Sequence, residues 1–490
     1  MDGLHDIWIY SVFYEYNNVV HERPVIQAIG LITTDPSLTA SVNETDVSFH
    51  LYSEEGAVQL QTRTGSVVLV SFSWSHSRLW EHGTGYATVK LECVLTSADT
   101  PPTHVSFSWP HNDTLTHRFT VEYPDTAARR HISVCYSVLY GGFNNASQLQ
   151  QNVEYNRLMG AEHVFLYKQN VGPEVEDLLS YYSRQGFLTA LPLPLSKQVR
   201  DSFYFGQHLA ILDCHARNRN SSDWVALIDP DEYIMPRKHS SWTELLEYLD
   251  DESENSIRPT YAFQHTYYTR YQNASDWDFV KKTLHLSADD VAFIKQNHVQ
   301  LFLEMNQLDP YSMNMGRFAR RKSIFQPDLV ILPGTHTPVK TVHESGRRTL
   351  GREHGTLAHH RHSMHAGKFN FYPQPYRDYL DLLKQAHGNF TLFQGEYGRG
   401  DRIGDDSWRK AAPTSMLPRN VQLARKVLER DVQKAREEGH DAWIVYPARL
   451  VVDGEIVKIM NPKSISEILT TLCSIQSEYC ALVNQSETIS

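Results

Sequence analysis

Cysteine is scarce, with five in 490 residues, at Cys93, Cys135, Cys214, Cys473 and Cys480. So few, and an odd number, exclude a scaffold built on disulfides. Cys473 and Cys480 are near enough in sequence for a local bridge pinning the C-terminal end, and two buried thiols are the equal alternative. No run approaches the roughly 18 apolar residues of a membrane-spanning helix. The opening MDGLHDIWIY lacks a basic segment followed by an apolar one, so it does not read as a signal peptide. Positive charge is also short: 46 Lys and Arg stand against 57 Asp and Glu, for a net charge of −11. A dedicated nucleic-acid binder would carry a basic face, so no nucleic-acid partner is expected. At 41% hydrophobic residues, wholesale disorder is excluded too. Internal repeats and low-complexity tracts are missing.

What is present suggests two or three domains, at about 100–200 residues each. Residues 1–128 hold short aromatic and β-branched runs (IWIYSVFYEY, VIQAIGLITT, VSFHLYS, SVVLVSFSW) separated by turn clusters such as DPSLTA. Many strands at this spacing predict an all-β domain, a sandwich or a barrel, with sandwich-like the form favoured. Near Arg129 the texture changes. HISVCYSVLYGG, AEHVFLYKQN, FLTALPLPL and DWVALIDPDEYIMP read as strands, and ASQLQQNVEYNRLMG, VEDLLSYYSRQG and FGQHLAILDCHARNRN as the helices between them. Such alternation predicts βαβ units with a parallel sheet, the pattern turning mixed after about Ser240, in an α/β domain bounded at 129–440. YRDYLDLLKQAHG and PRNVQLARKVLERDVQKAREEGHDAW read as later helices, and residues 441–490 as a tail packing on the α/β domain. Seven Asn-x-Ser/Thr sequons, at Asn43, Asn112, Asn145, Asn220, Asn273, Asn389 and Asn484, suggest the secretory pathway.

The strongest chemical signal is Asp229-Pro230-Asp231-Glu232 after the apolar run WVALI. Two carboxylates at i and i+2 leave a buried strand at its carboxyl end, where ligands of such sheets sit. Grouped hard oxygens suit Mn²⁺ or Mg²⁺, which can bridge to a substrate diphosphate. A solvated acidic turn is the plainer alternative. The second signal is histidine: residues 336–365 hold seven, among them His336, His343, His359, His360 and His362. One of them could complete a metal site. A separate zinc site and a basic surface loop are the alternatives. Arg347, Arg348, Arg352 and Arg361 add positive charge that suits an anionic ligand.

From VCYSVLYGG through NVEYNRLMGAEHVFLYKQN and GQHLAILDCHARNR to WVALIDPDEYIMP, the chain resembles the family-92 glycosyltransferases. IWIYSVFYEYNN with VIQAIGL, RKSIFQPDLVILPGTHTP and LAHHRHS resemble further segments of that family, so the resemblance spans most of the chain. It implies a GT-A-like, metal-dependent transferase that binds a nucleotide sugar on its Rossmann-like half and a glycan acceptor on the other. The family resemblance implies inversion and β-linked galactose from UDP-galactose, with acceptors that include fucose of N-glycan cores and pectic galactan. It also implies the Golgi lumen, or secretion, with a membrane anchor absent from this chain.

Residue by residue, the resemblance implies that Asp229 and Asp231 bind Mn²⁺ and the diphosphate, with Glu232 in a sugar-contacting or supporting role. Tyr167, Lys168 and Asn170 after the second strand, and Tyr140 and Gly141 after the first, are donor-binding candidates. Arg217 is a donor candidate or a helix-surface salt bridge. His336 and His360 are the candidates for a further metal ligand. An inverting transfer needs a carboxylate base. Glu304, Asp276, Asp278 and Asp289 are candidates, and Glu304 is the one placed in the catalytic set. Aromatics between Tyr261 and Trp277 could stack on sugars or pack a strand pair. Two other classes stay open: a metal-dependent hydrolase built on the histidines, and a non-catalytic glycan-binding protein.

Overall fold

A computed structural model describes residues 7–16, 23–33, 46–53, 58–69, 85–96, 99–109, 117–124, 129–252, 259–269, 285–296, 303–305, 321–342, 346–361 and 369–371, a few positions between these, and strands within 442–459. Strands β1 (Ile7–Glu15), β2 (Val25–Thr33), β3 (Asp46–Ser53), β4 (Val58–Leu69), β5 (Tyr86–Val94), β6 (His104–Ser108) and β7 (Phe119–Thr120) form one antiparallel sheet, ordered β1-β2-β5-β4-β3-β6-β7. Its two edges meet just past β7. The Tyr14 amide donates to the Glu122 carbonyl at 2.9 Å, and the Glu122 amide to the Val12 carbonyl at 2.8 Å. Of the two expected forms, the sandwich of two facing sheets is not found, and one sheet curls shut in the manner of a barrel. Closure pairs the edge groups that an open sheet would leave exposed. Ile9, Val12, Ile26, Val47, Phe49, Leu91 and Phe107 fill the interior.

The chain then alternates β8 (Arg130–Leu139), α1 (Ala146–Leu158), β9 (His163–Lys168), α2 (Pro173–Arg184), β10 (Leu188–Pro192), a short α3 (Lys197–Arg200), α4 (Gln207–Asn218) and β11 (Ser222–Ile228). β10, β9, β8 and β11 are mutually parallel neighbours in that order. In chain order these are the third, second, first and fourth strands. The order therefore reverses between β8 and β11, which is where such sheets open a ligand crevice. Beyond β11 the sheet turns mixed. β15 (Arg321–Phe325) runs antiparallel to β11, and β13 (Thr260–Thr269) antiparallel to β15. The Rossmann-like expectation thus holds for four strands and not for the outer half.

β12 (Glu232–Pro236) follows β11 at once and leads to α5 (Trp242–Asp251). The rest of the outer half holds α6 (Ala288–Gln296), β14 (Leu303–Met305), β16 (Val330–Leu332), β17 (Lys340–Thr341), β18 (Arg347–Thr349), β19 (Gly355–Arg361) and β20 (Phe369–Phe371). β21 (Ala442–Val445), β22 (Arg449–Val452) and β23 (Glu455–Ile459) make a small antiparallel sheet. Ala442 and Trp443, expected at a helix end, begin β21. Nearly all of the two late helices, and Cys473 and Cys480, lie outside the described residues.

β2 is buried along almost its whole length, because both of its faces are covered. Ile26 and Ala28 face the closed sheet's interior, while Ile29 and Leu31 pack in one cluster with Leu209, Ile211 and Leu212 of α4. Helix α4 is also stapled to β8 by a disulfide between Cys135 and Cys214, a pair not foreseen from the sequence. Two sequons have structural duties: Asn145 caps α1 by accepting from the Gln148 backbone amide at 3.0 Å, and the Asn220 side-chain Nδ2 donates to the Tyr16 carbonyl at 3.0 Å. The other five lie outside the described residues.

The disulfide joins positions 79 residues apart. Cys214→Ser is expected to cost about 4–5 kcal/mol, from the chain entropy that the bridge removes from the unfolded state. A guanidinium midpoint unchanged by the substitution would contradict this.

Candidate active site at the β11–β12 turn

β11 ends at Ile228, and the turn Asp229-Pro230-Asp231 delivers the chain to β12 at Glu232. Asp229 is half-buried at the reversal between β8 and β11, and the Ser137 hydroxyl of β8 donates to its Oδ1. The Lys322 ammonium of β15 lies 3.0 Å from Asp229 Oδ2 and 3.3 Å from Glu232 Oε2. Burial alone would raise the Asp229 pKa. The Lys322 charge and the Ser137 hydroxyl outweigh it and hold the carboxyl down to about 2. Lys322 is itself 3% exposed, which would lower its pKa, yet the carboxylates of Asp229 and Glu232 raise it.

Glu232 braces the turn from inside. Its Oε2 accepts from the Asp229 amide at 2.9 Å, and its own amide donates to the Asp229 carbonyl at 2.9 Å. Burial pushes its pKa up; Lys322 opposes that, and the neighbouring Asp229 and Asp231 add to it. Asp231 turns the other way. Its Oδ2 is 3.0 Å from Nε2 of His359, on β19. β19 pairs with β12 so that His359 stands opposite Glu232, and His359 Nδ1 is 2.7 Å from Nε2 of His265 on β13.

Helix α1 holds the turn from behind with polar side chains. β12 pairs with β19 on one edge, and side chains take its backbone carbonyls on the other. Asn152 donates to the Glu232 carbonyl at 2.8 Å, and the Tyr155 hydroxyl to the Ile234 carbonyl at 3.1 Å. The Trp242 indole donates to the same Ile234 carbonyl at 2.8 Å. Buried carbonyls need such partners, which is why Gln148 and Asn152 sit in the interior, while Asn156 beside them donates to the Tyr136 hydroxyl at 2.7 Å.

The loops after β8 and β9 line the neighbouring edge. Gly141 and Gly142 both take positive φ (71° and 76°), and the Gly142 amide donates to the carbonyl of the exposed Asn170 at 2.9 Å. The Tyr140 ring rests on Phe205 with centroids 4.2 Å apart. Phe205 and Tyr204 precede Gly206 with φ of 56° and 41°. Each such non-glycine residue costs about 1–3 kcal/mol, a kind of strain that clusters at functional sites. Gln169, after β9, fixes this turn by donating to the Phe205 carbonyl at 2.7 Å. Lys168 pairs with Glu176 at the same edge.

Three sequence expectations are corrected. Tyr167 is fully buried and donates to Asp213 of α4, because its side of β9 faces that helix and not the crevice. Arg217 does not reach a donor: its guanidinium pairs with Asp213 and with Glu122, over the Phe13 ring, locking α4 to the N-terminal sheet. His336 Nδ1 lies 3.1 Å from the Arg321 carbonyl, and the histidine joined to the acidic turn is His359. The His360 side chain lies outside the described residues. Its backbone pairs with Tyr268, which pairs with Glu304 on β14. Asp278 and Asp289 are exposed, and Asp276 lies outside the described residues. Lys322, His265 and Ser137 carry no site signal in the sequence, whereas His359 is one of the histidines singled out there as able to complete a metal site.

Among the described residues, no group of three or more His, Cys, Asp or Glu side chains is already arranged as a metal cage. The donor set still fits Mn²⁺ or Mg²⁺. Asp231 and His359 offer a carboxylate oxygen and an imidazole nitrogen side by side, with Asp229 next to them.

The family model for glycosyltransferase family 92 matches residues 130–391, just over half of the chain. The chain belongs to that family. A beta-1,4-galactosyltransferase of Caenorhabditis elegans is 26% identical over 107 residues, covering 21% of this chain and 25% of that protein. A galactan beta-1,4-galactosyltransferase of Arabidopsis thaliana is 32% identical over 103 residues, 20% of either chain. A family-92 protein of C. elegans is 25% identical over 154 residues, 29% of this chain and 30% of that one. This chain therefore matches less than a third of the length of these relatives. Glucosyl-3-phosphoglycerate synthase of M. tuberculosis aligns with 54% of this chain and 81% of its own at 10% identity and a TM-score of 0.24, a likeness too slight to carry an argument.

Arg217 was corrected from donor contact to structural lock, and the two roles separate experimentally. Arg217→Met is expected to lower unfolding free energy by about 3 kcal/mol, since it strands the buried Asp213. UDP affinity of the folded fraction should stay within about threefold of wild type. A tenfold loss of UDP affinity at unchanged stability would restore the donor role.

Proposed function

We propose that this chain is an inverting, metal-dependent galactosyltransferase of GT-A type, moving galactose from UDP-galactose to a hydroxyl of a glycan. The observation that carries the reading is the Asp229–Asp231 turn at the β8–β11 reversal, with His359 and Lys322 on it. Galactose and the β-linkage rest on the family and on the two relatives named for beta-1,4-galactosyl transfer. Fucose of an N-glycan core is the acceptor that the family resemblance suggests.

In this reading Asp231 and His359 hold Mn²⁺ or Mg²⁺, with Asp229 beside them. The bound ion offsets charge on the leaving diphosphate. The chain's part is positioning and electrostatic preorganisation. Ser137 and Lys322 keep Asp229 from swinging, and Glu232 fixes the turn's backbone. Tyr140, Gly141, Lys168 and Asn170 border the nucleotide side of the crevice. Glu304 is the candidate base for the acceptor hydroxyl, by its cross-strand register with Tyr268 and, through it, His360.

We place the protein in the lumen of the secretory pathway, Golgi or secreted. The Cys135–Cys214 disulfide supports this, because such bonds persist in oxidising compartments.

Calorimetry of UDP with and without Mn²⁺ tests the reading. UDP binding should require Mn²⁺, and Asp231→Asn and His359→Ala should each weaken it at least about tenfold, the usual effect of losing a metal ligand or its orienting partner. A screen of UDP-sugars against glycan acceptors, read by product mass, should then favour UDP-galactose. Absence of UDP binding with any divalent metal would overturn the transferase reading.

A further inference from the structure

Lys322 is an anomaly in its strand. It begins the buried run Lys322-Ser323-Ile324-Phe325 of β15, and a lysine is rarely this deeply buried unless paired. Its ammonium is shared between Asp229 and Glu232, while Asp231 is left to His359. The acidic turn is thus divided between a fixed cation on one side and an imidazole on the other.

We propose that Lys322 is a resident counter-cation that lets the acidic turn hold a divalent ion and a donor diphosphate together. The inference rests on the metal-dependent reading above and goes beyond it by assigning the balance of charge to one residue. With Lys322 present, the ion-loaded turn carries one positive charge more than it would without it, so an incoming diphosphate meets a more favourable field. Without Lys322, the turn alone is more negative by one charge and attracts the ion more strongly. The ion-loaded turn is then less positive by one charge and attracts the diphosphate less. Lys322 therefore weakens binding of the metal alone and strengthens binding of the nucleotide to the metal-loaded protein. At such short range and partial burial one unit charge is worth at least about tenfold in affinity.

The test uses the full chain, with Mn²⁺ alone and then UDP at saturating Mn²⁺ as the calorimetric probes. Lys322→Met and Lys322→Gln, the second keeping a donor for Asp229, are expected to bind Mn²⁺ at least about tenfold tighter and UDP at least about tenfold weaker. Lys322→Arg, which keeps the charge, should change either affinity by no more than about threefold. A purely structural lysine would move both affinities of the neutral variants downward, and a bystander would move neither. Either result, with wild type binding both probes, overturns the proposal. Mn²⁺ should also raise the melting temperature of the neutral variants more than that of wild type, since the ion replaces the missing charge. Neutral variants that stay unfolded in saturating Mn²⁺ likewise overturn it. Wild type that binds neither Mn²⁺ nor UDP removes the metal-dependent reading itself.

Discussion

Three carboxylates sit at the end of one buried strand, and the surrounding structure is organised around making that tolerable. An ionised group taken out of water costs several kcal/mol unless it is paired and hydrogen-bonded. Each neighbouring element contributes a partner. β8 offers the Ser137 hydroxyl, β15 the Lys322 ammonium and β19 the His359 ring. The turn's own Asp229 amide takes the fourth share, by donating to Glu232. The arrangement is uneven, with Asp229 and Glu232 tied to a permanent cation while Asp231 depends on an imidazole whose other nitrogen faces His265. That unevenness makes Asp231 the carboxylate best placed to exchange its partner for an entering ion.

The same need for partners explains the position of the N-terminal sheet. Helix α4 carries Asp213, fully buried, and its charge is met by Arg217. Arg217 in turn reaches Glu122, beside the seam where the sheet closes. Arg219 pairs with Glu15 at the end of β1. Charge and apolar contacts thus coincide along one face of α4, which the disulfide ties to β8, the strand bearing Ser137. The N-terminal sheet sets the position of the helix that backs the crevice, and no residue of the acidic turn comes from it.

Local periodicity made the four parallel strands and the Asp-x-Asp turn legible, because each is a contiguous segment whose apolar run and terminating Gly or Asp can be read in place. Non-local pairing was not legible. Curling one sheet shut depends on Val12 and Tyr14 finding Glu122 across more than a hundred residues. Helix α1 was read correctly as a helix, but its Gln148, Asn152 and Asn156 would ordinarily be placed on the surface. They are inside because Asn152 meets the Glu232 carbonyl, Gln148 the Pro230 carbonyl and Asn156 the Tyr136 hydroxyl. Tyr167 and Arg217 looked like donor contacts because they lie near the right strand and helix. Their side chains face the wrong side of the sheet. Asn145 and Asn220 matched the sequon pattern and turned out to be a helix cap and a loop tie.

Choosing among the histidines of AHHRHS is a question of register, which spacing alone does not answer. The antiparallel pairing of β12 with β19 sets Glu232 opposite His359 and Pro236 opposite Gly355. A one-residue slip would bring His360 opposite Glu232 instead, and would turn every side chain of β19 to the other face. Buried groups oppose that slip. Leu357 and His359 are buried in the present register, and the adjoining pairing with β13 fixes His265 against Leu357 and Tyr267 against His359. Moving the imidazole away would leave the Asp231 carboxylate, only 9% exposed, without its partner. The hydrophobic register of β19 and the electrostatics of the acidic turn therefore select the same alignment. Hence the histidine that meets Asp231 is set by the packing of the whole outer half of the sheet.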